Sequence, residues 1–183
     1  THPSRLVETE LGNLFSDIFA EVGNLDVAFI GSGSIRSLEM GPVVTLRDLK
    51  QAFPYDDTYS RYSVTGKQLE SIFSHIMRNE NRNGEGECYQ VNHGVHAVYD
   101  EMFDKLVSLA IRDQPVEPDR IYQIGIQIYH ATSSEKNLGI SMENLSQLKP
   151  PRIIVASMQS VVEEYLRGHQ AINRIVEGRL IYR

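Results

Sequence analysis

A short apolar run, Asp26-Val27-Ala28-Phe29-Ile30, leads straight into the hexapeptide Gly31-Ser32-Gly33-Ser34-Ile35-Arg36. Small residues after a buried strand leave backbone N–H groups open to an incoming anion, and Arg36 adds a planar, two-pronged cation at the far end, so the segment could hold a phosphate. It is neither a P-loop nor a dinucleotide fingerprint, because Arg36 stands where the third glycine would be. An ordinary tight turn is the plainer reading of the same residues. His93 and His96 have His-x-x-His spacing, but on a strand that spacing sends the rings to opposite faces, and a structural or surface pair is expected. Cys88, flanked by Glu87 and Tyr89, has no obvious base and reads as a small half-buried hydrophobe. As the only cysteine it excludes an internal disulfide framework and a Cys-rich zinc site.

The elements that would position the turn follow from periodicity. Leu11, Leu14, Phe15, Ile18, Phe19 and Val22 recur at spacings of three and four, which predicts a helix over about 8–22, stopped by Gly23-Asn24. Thr45 and Asp48 predict a capped short helix ending before Pro54, and Thr65 with Gln68 predicts a capping box ahead of Leu69, Ile72, Phe73 and Ile76. Residues 57–64 alternate as a strand. The polar stretch 78–87 reads as a solvated loop that resists any core assignment. Three strands are expected over 88–99, 105–111 and 121–129, an irregular segment over 133–148, a short strand at 152–155, a helix through Met158, Val161, Val162, Tyr165 and Leu166, and a closing strand at 179–182. Helices and strands mix without strict alternation, so the expected class is α+β: a mixed β-sheet with packed helices in a single domain spanning 1–183.

Composition narrows the function. No apolar run nears the roughly 18 residues of a membrane span, and the net charge of −6 opposes the electrostatic footprint of a phosphate-backbone binder. Nucleic acid and membrane segments are therefore not expected partners. The chain opens on Thr1 a few residues before a helix, so the expectation is a segment of a longer protein, with any export signal upstream.

Several motifs, in order, resemble the C-terminal domain of the 5'-nucleotidase and UDP-sugar hydrolase family. Arg5 followed by Glu8-Thr9-Glu10-Leu11-Gly12-Asn13-Leu14 is similar to its arginine and Glu-x-x-Leu-Gly-Asn-Leu helix start. The Gly31 to Arg36 turn is similar to its Asn-Gly-Gly-Gly-Ile-Arg, and Phe53-Pro54-Tyr55-Asp56-Asp57 to its Pro-Phe-Gly-Asn segment. Val64-Thr65-Gly66-Lys67-Gln68-Leu69 matches its Thr-Gly-x-x-Leu helix, while Gly86-Glu87-Cys88-Tyr89-Gln90-Val91 and Tyr99-Asp100 fall in place for the next strands.

The resemblance implies a substrate-binding domain with no cofactor of its own. A separate N-terminal metallophosphoesterase domain of the same polypeptide would carry two divalent metal ions and the attacking residues, leaving this domain inactive alone. It also implies roles: Arg5 and Arg36 at the phosphate end of a nucleotide or nucleoside, Gly31 and Gly33 of the turn in the same substrate-binding site, Tyr55 and Tyr129 sandwiching the base, and Glu135 at the ribose hydroxyls. Extracellular, periplasmic or cell-surface placement goes with the family. The chain departs from it where Gly31 replaces the base-reading asparagine, where Asp56 brings negative charge beside Tyr55, and where His130 to Glu135 lack the family's Gly-Gly-Asp-Gly. Stacking without an edge reader predicts broad base tolerance, and Phe in place of either tyrosine is expected to be nearly silent. The alternative is an interaction module that kept the fold and lost the ligand.

Overall fold

The computed structural model of the chain describes residues 1–85 and 87–183; Gly86, quoted above in a strand motif, lies outside the described residues. Helix α1 (Glu10–Gly23) starts where the Thr9 hydroxyl accepts from Gly12 N–H and ends at Asn24 in the left-handed region, φ 47°. Its apolar stripe, Leu11, Leu14, Phe15, Ile18 and Phe19, is fully buried. Strands β1 (Val27–Ala28) and β2 (Ile30–Gly31) follow, then a single 3-10 turn over Ser32–Ser34. Helix α2 (Leu46–Ala52) and helix α3 (Gly66–Ile76) carry the capping boxes expected of Thr45/Asp48 and Thr65/Gln68, with β3 (Tyr59–Thr65) between them.

Strands β4 (Tyr89–Gln90), β5 (Val95–Asp100), β6 (Lys105–Ile111), β7 (Gln114–Pro115) and β8 (Ile121–Gln127) come next, followed by three short helices, α4 (Ile128–Thr132), α5 (Ser134–Leu138) and α6 (Met142–Ser146). The chain closes through β9 (Arg152–Val155), α7 (Met158–Gly168) and β10 (Leu180–Tyr182). The fold is α+β with mixed strand directions, divided between sheets β1-β8-β3-β9 and β10-β5-β6-β7 and a small β2-β4 pair. β1 runs parallel to β8 and β10 parallel to β5; the other pairings are antiparallel.

The first sheet has an apolar layer on each face. α1, α2 and α7 cover one face with Phe15, Phe19, Phe53 and Val162, while α3 and the second sheet cover the other with Phe73, Ile72, Ala97 and Leu109. Consecutive residues of β1 split between them, Val27 to the second layer and Ala28 to the first, as strand alternation requires. Gly125 on β8 is forced: a Cβ there would lie 2.3 Å from the Tyr59 ring, whose hydroxyl donates to the Gly125 carbonyl at 2.8 Å.

Three local expectations are corrected. The segment 133–148 is helical, because Ser141 caps α6 through Asn144 N–H and apolar Leu138 and Leu145 are buried against the core. β8 stops at Gln127, so Tyr129 sits on α4 rather than on a strand. The 78–87 stretch is not all solvated loop: it contains a π-helical turn at Asn81–Glu85, and the Asn81 side chain is buried, donating to the Glu87 carbonyl at 2.9 Å.

Candidate functional site

The glycine turn lies at the end of the first sheet where β3 begins and β8 ends, since Tyr59 pairs with Gln127. Its amides are largely engaged within the protein. Ser32 N–H donates to the Cys88 carbonyl at 2.8 Å, Gly33 N–H to Glu87 Oε1 at 2.8 Å, Ile35 N–H to Ser32 at 3.1 Å and Arg36 N–H to Ala52 at 2.7 Å, while Gly31 N–H makes a long 3.4 Å contact to Gln127 Oε1. The open backbone cradle expected from the small residues is thus mostly spent on neighbouring strands and side chains. What remains outward is the Arg36 fork, exposed, with Nη2 donating to the Tyr55 hydroxyl at 2.6 Å and its guanidinium 5.3 Å from the Tyr55 ring centre.

Both tyrosines are exposed on the same end of that sheet. Asp57, two residues past Tyr55, accepts from Tyr129 N–H at 3.3 Å, and Ile128 N–H donates to the Thr58 carbonyl at 3.1 Å, tying the start of α4 to the strand that follows Tyr55. Asp56 does not add free charge beside Tyr55. Its Oδ1 accepts from the Ser157 hydroxyl at 2.7 Å and from Gln159 N–H at 3.2 Å, so the carboxylate sits on the positive N-terminal end of α7.

Beneath the turn lies a polar layer in which Thr9 and Gln90, both from the motifs, are given a role by their contacts. Gln90 donates to the Ser32 hydroxyl at 2.6 Å and to the Val7 carbonyl at 2.8 Å, and accepts from Thr9 N–H at 3.0 Å. Buried His2 bridges the Thr9 hydroxyl and the Ser32 carbonyl, so the N-terminal segment and the turn form one assembly. His130 lies against Gly31, bonded through Nδ1 to the Tyr89 hydroxyl at 3.0 Å and packed edge-to-face on both Tyr89 and Tyr129. Burial pushes the His130 imidazole down to about 4, which keeps it neutral at physiological pH. Burial also raises the Glu87 carboxyl above the usual carboxylate range, with the Gly33 N–H and the positive charges of Arg5 and Arg36 pulling the other way.

The structure thus brings Gly31, Gly33, Arg36, Tyr55 and Tyr129 to one end of the first sheet. Arg5 lies exposed in the segment leading into α1, near enough to act on Glu87, and Glu135 lies exposed on α5 with no hydrogen bond or ion pair among the described residues. Glu87, His130, Gln127 and Asp57 complete the arrangement. Glu87 and Asp57 stand inside motifs quoted above and His130 follows Tyr129, but only tertiary contacts give them a role. No three of His, Cys, Asp and Glu among the described residues converge as metal ligands, so a two-metal centre does not fit the residues here; exposed His93 instead pairs with Glu177 at 3.0 Å.

A domain with these layers and this motif order defines a class, and comparison places the chain in it. The model of the family "5'-nucleotidase, C-terminal domain" matches residues 1–139, and the chain belongs to that family. Snake venom 5'-nucleotidase from Naja atra is 22% identical over 207 residues, covering 100% of this chain and 38% of that protein; the one from Macrovipera lebetinus is 23% identical and covered over 49% of its length. The chain therefore spans between a third and a half of these relatives. Among solved structures, a 5'-nucleotidase precursor from Thermus thermophilus superimposes with TM-score 0.80 at 18% identity, over 100% of this chain and 37% of that one. Haemophilus influenzae NAD nucleotidase follows at 0.72 and 13%, over 95% of this chain and 33% of that one. At such identities these two likenesses show the fold.

Proposed function

We propose that the chain is the substrate-specificity domain of a metal-dependent nucleotide hydrolase of the 5'-nucleotidase, 2',3'-cyclic phosphodiesterase or UDP-sugar hydrolase type. The observation that carries this is the gathering of Arg36, Tyr55 and Tyr129 around one glycine turn, in a chain of this family. Arg36, with Arg5, would hold the phosphate end by charge-assisted forks. The tyrosine faces would stack on the base, and Glu135 would reach the ribose hydroxyls. Hydrolysis would belong to an N-terminal metallophosphoesterase domain with two divalent ions, outside these 183 residues, leaving this part inactive alone; the venom relatives support extracellular placement. One observation favours a module that has lost its ligand, namely that Glu87 already occupies the Gly33 amide.

A thermal-shift titration of the chain with adenosine and AMP tests the proposal. Ligand binding to the folded state alone stabilises it by mass action, about 2.7 kcal/mol at a hundredfold excess over Kd. A concentration-dependent rise in Tm, larger for AMP than for adenosine, is expected. No rise with either at millimolar ligand would contradict the proposal and favour the ligand-free module.

A further inference from the structure

From Gly31 to Ile35 every residue of the turn is buried except Gly33, which is half-buried. Its amide also differs from its neighbours in what it donates to. The N–H groups of Ser32, Ile35 and Arg36 end on backbone carbonyls, which cannot leave without moving the chain itself, and Gly31 N–H points to the neutral Gln127 amide. Gly33 N–H alone among these ends on a charged side chain, Glu87 Oε1 at 2.8 Å, half-buried and carried on several rotatable bonds. The missing side chain at residue 33 permits this approach, since a Cβ there would lie 3.0 Å from Glu87 Oε2 and 3.2 Å from Oε1. The positive charges of Arg5 and Arg36 act on the same carboxylate.

An anion of the protein's own therefore stands on the one half-exposed amide of the turn, in the field of the two arginines that would hold a phosphate. We infer that Glu87 is a resident competitor of the ligand's phosphate: its carboxylate fills the anion position on Gly33 N–H, and a phosphate reaches that amide only by displacing it. The consequence is selectivity by charge. A displaced carboxylate loses a charge-assisted hydrogen bond, and one that stays repels the incoming phosphate, so either way a phosphate-bearing ligand gives up affinity. A neutral ligand, which does not seek that amide, is spared, and Glu87 thereby narrows the gap between nucleotide and nucleoside. A carboxylate whose only role is to brace the turn predicts the opposite sign, because removing its charge would loosen Gly33 and weaken phosphate binding. The inference rests on the nucleotide-binding proposal above and names the residue that sets its phosphate preference.

Calorimetric titration of the unmodified and Glu87→Gln chains with AMP and adenosine tests it. The glutamine oxygen can still accept from Gly33 N–H, so the variant removes the charge and keeps the shape. AMP should bind Glu87→Gln about tenfold or more tighter than the unmodified chain, the scale of a hydrogen bond to a charged group, while adenosine should change by less than about threefold. AMP binding confined to the variant would support the inference and assign the loss of ligand to Glu87. Unchanged or weaker AMP binding by a folded Glu87→Gln chain, or an equal gain for both ligands, would overturn it while leaving nucleotide binding intact. Failure of both ligands to bind either chain would overturn both. Should Glu87→Gln not fold, the unmodified chain decides by NMR: the carboxyl carbon resonance of Glu87 should move on addition of AMP and stay in place with adenosine, and AMP binding without that movement would overturn the displacement.

Discussion

Arg36 and Tyr55 belong to one unit, since the guanidinium donates to the phenol oxygen. Arg36→Ala should weaken nucleotide monophosphate binding about tenfold or more, on the scale of a charge-assisted hydrogen bond. Arg36→Lys should recover only part, because an ammonium has no planar fork. Tyr55→Phe, which stacking alone would leave silent, should now cost affinity by freeing Arg36, whereas Tyr129→Phe should not, its hydroxyl having no hydrogen-bond partner among the described residues. Calorimetry on the four variants checks the order, and a silent Tyr55→Phe would show that the contact does not matter for binding. His130 carries a pH signature. The unfolded chain takes up a proton on this imidazole near 6.5 and the folded one only near 4. Its contribution is therefore complete above pH 6.5 and is lost as pH falls toward 4, by up to roughly 3 kcal/mol at 1.36 kcal/mol per unit. Urea midpoints at pH 7, 5.5 and 4.5 should fall less steeply for His130→Gln than for the unmodified chain; parallel lines would refute the assignment. Reading the sequence located Arg36 and the tyrosines but not Glu87 or His130, because nothing local marks a side chain whose role is to close on a glycine far away in sequence.

At the scale of elements, capping chemistry was legible where it is local. The Thr65 box on α3 forms as predicted, with Gln68 N–H donating to the Thr65 hydroxyl at 3.2 Å and Thr65 N–H donating to the Gln68 side chain at 2.9 Å. The reason for Gly66 was not legible. A Cβ there would lie 2.0 Å from the Glu117 carbonyl oxygen, while Gly66 N–H and Lys67 N–H donate to the Arg120 and Pro118 carbonyls. Thr65→Ala should cost about 1 kcal/mol, the usual value of a cap. Gly66→Ala should cost more, because backbone rather than a flexible side chain must move, despite alanine's better helix propensity. Chemical denaturation of both variants checks the order, and a stabilised Gly66→Ala would contradict the close approach. The helices in 133–148 leave no periodic trace for a similar reason. Each has five residues, too few for periodicity to show, and their stability comes from burying Leu138 and Leu145 rather than from propensity.

Across the whole molecule, the C-terminal tail is fastened by charge. The Arg179 side chain is 2% exposed and donates to Asp17 at 2.8 and 3.1 Å, to Glu177 at 2.9 Å and to the Val91 carbonyl at 2.7 Å. Glu8 accepts from the Glu177 and Arg179 amides and from Asn13, linking the start of α1 to the segment before β10. Arg179→Ala should therefore cost about 3 kcal/mol, the lower end for a broken buried pair, because Asp17 loses one of two arginine partners and keeps Arg174 at 3.1 Å. A loss under about 1 kcal/mol in denaturant titration, the scale of an exposed ion pair, would show the network to be dispensable. Composition and pattern predicted the α+β class, yet not this fastening, since an arginine in a polar tail looks like any solvated charge until the fold encloses it. The central claim concerns the opposite feature, an exposed edge shaped for a ligand. Amide chemical-shift mapping of the 183-residue chain during titration with AMP tests it most directly. Shifts should concentrate on Gly31, Gly33, Arg36, Tyr55, Glu87 and Tyr129 and leave Gly178 to Tyr182 unmoved; no shifts, or shifts centred on the Arg179 network, would contradict the account.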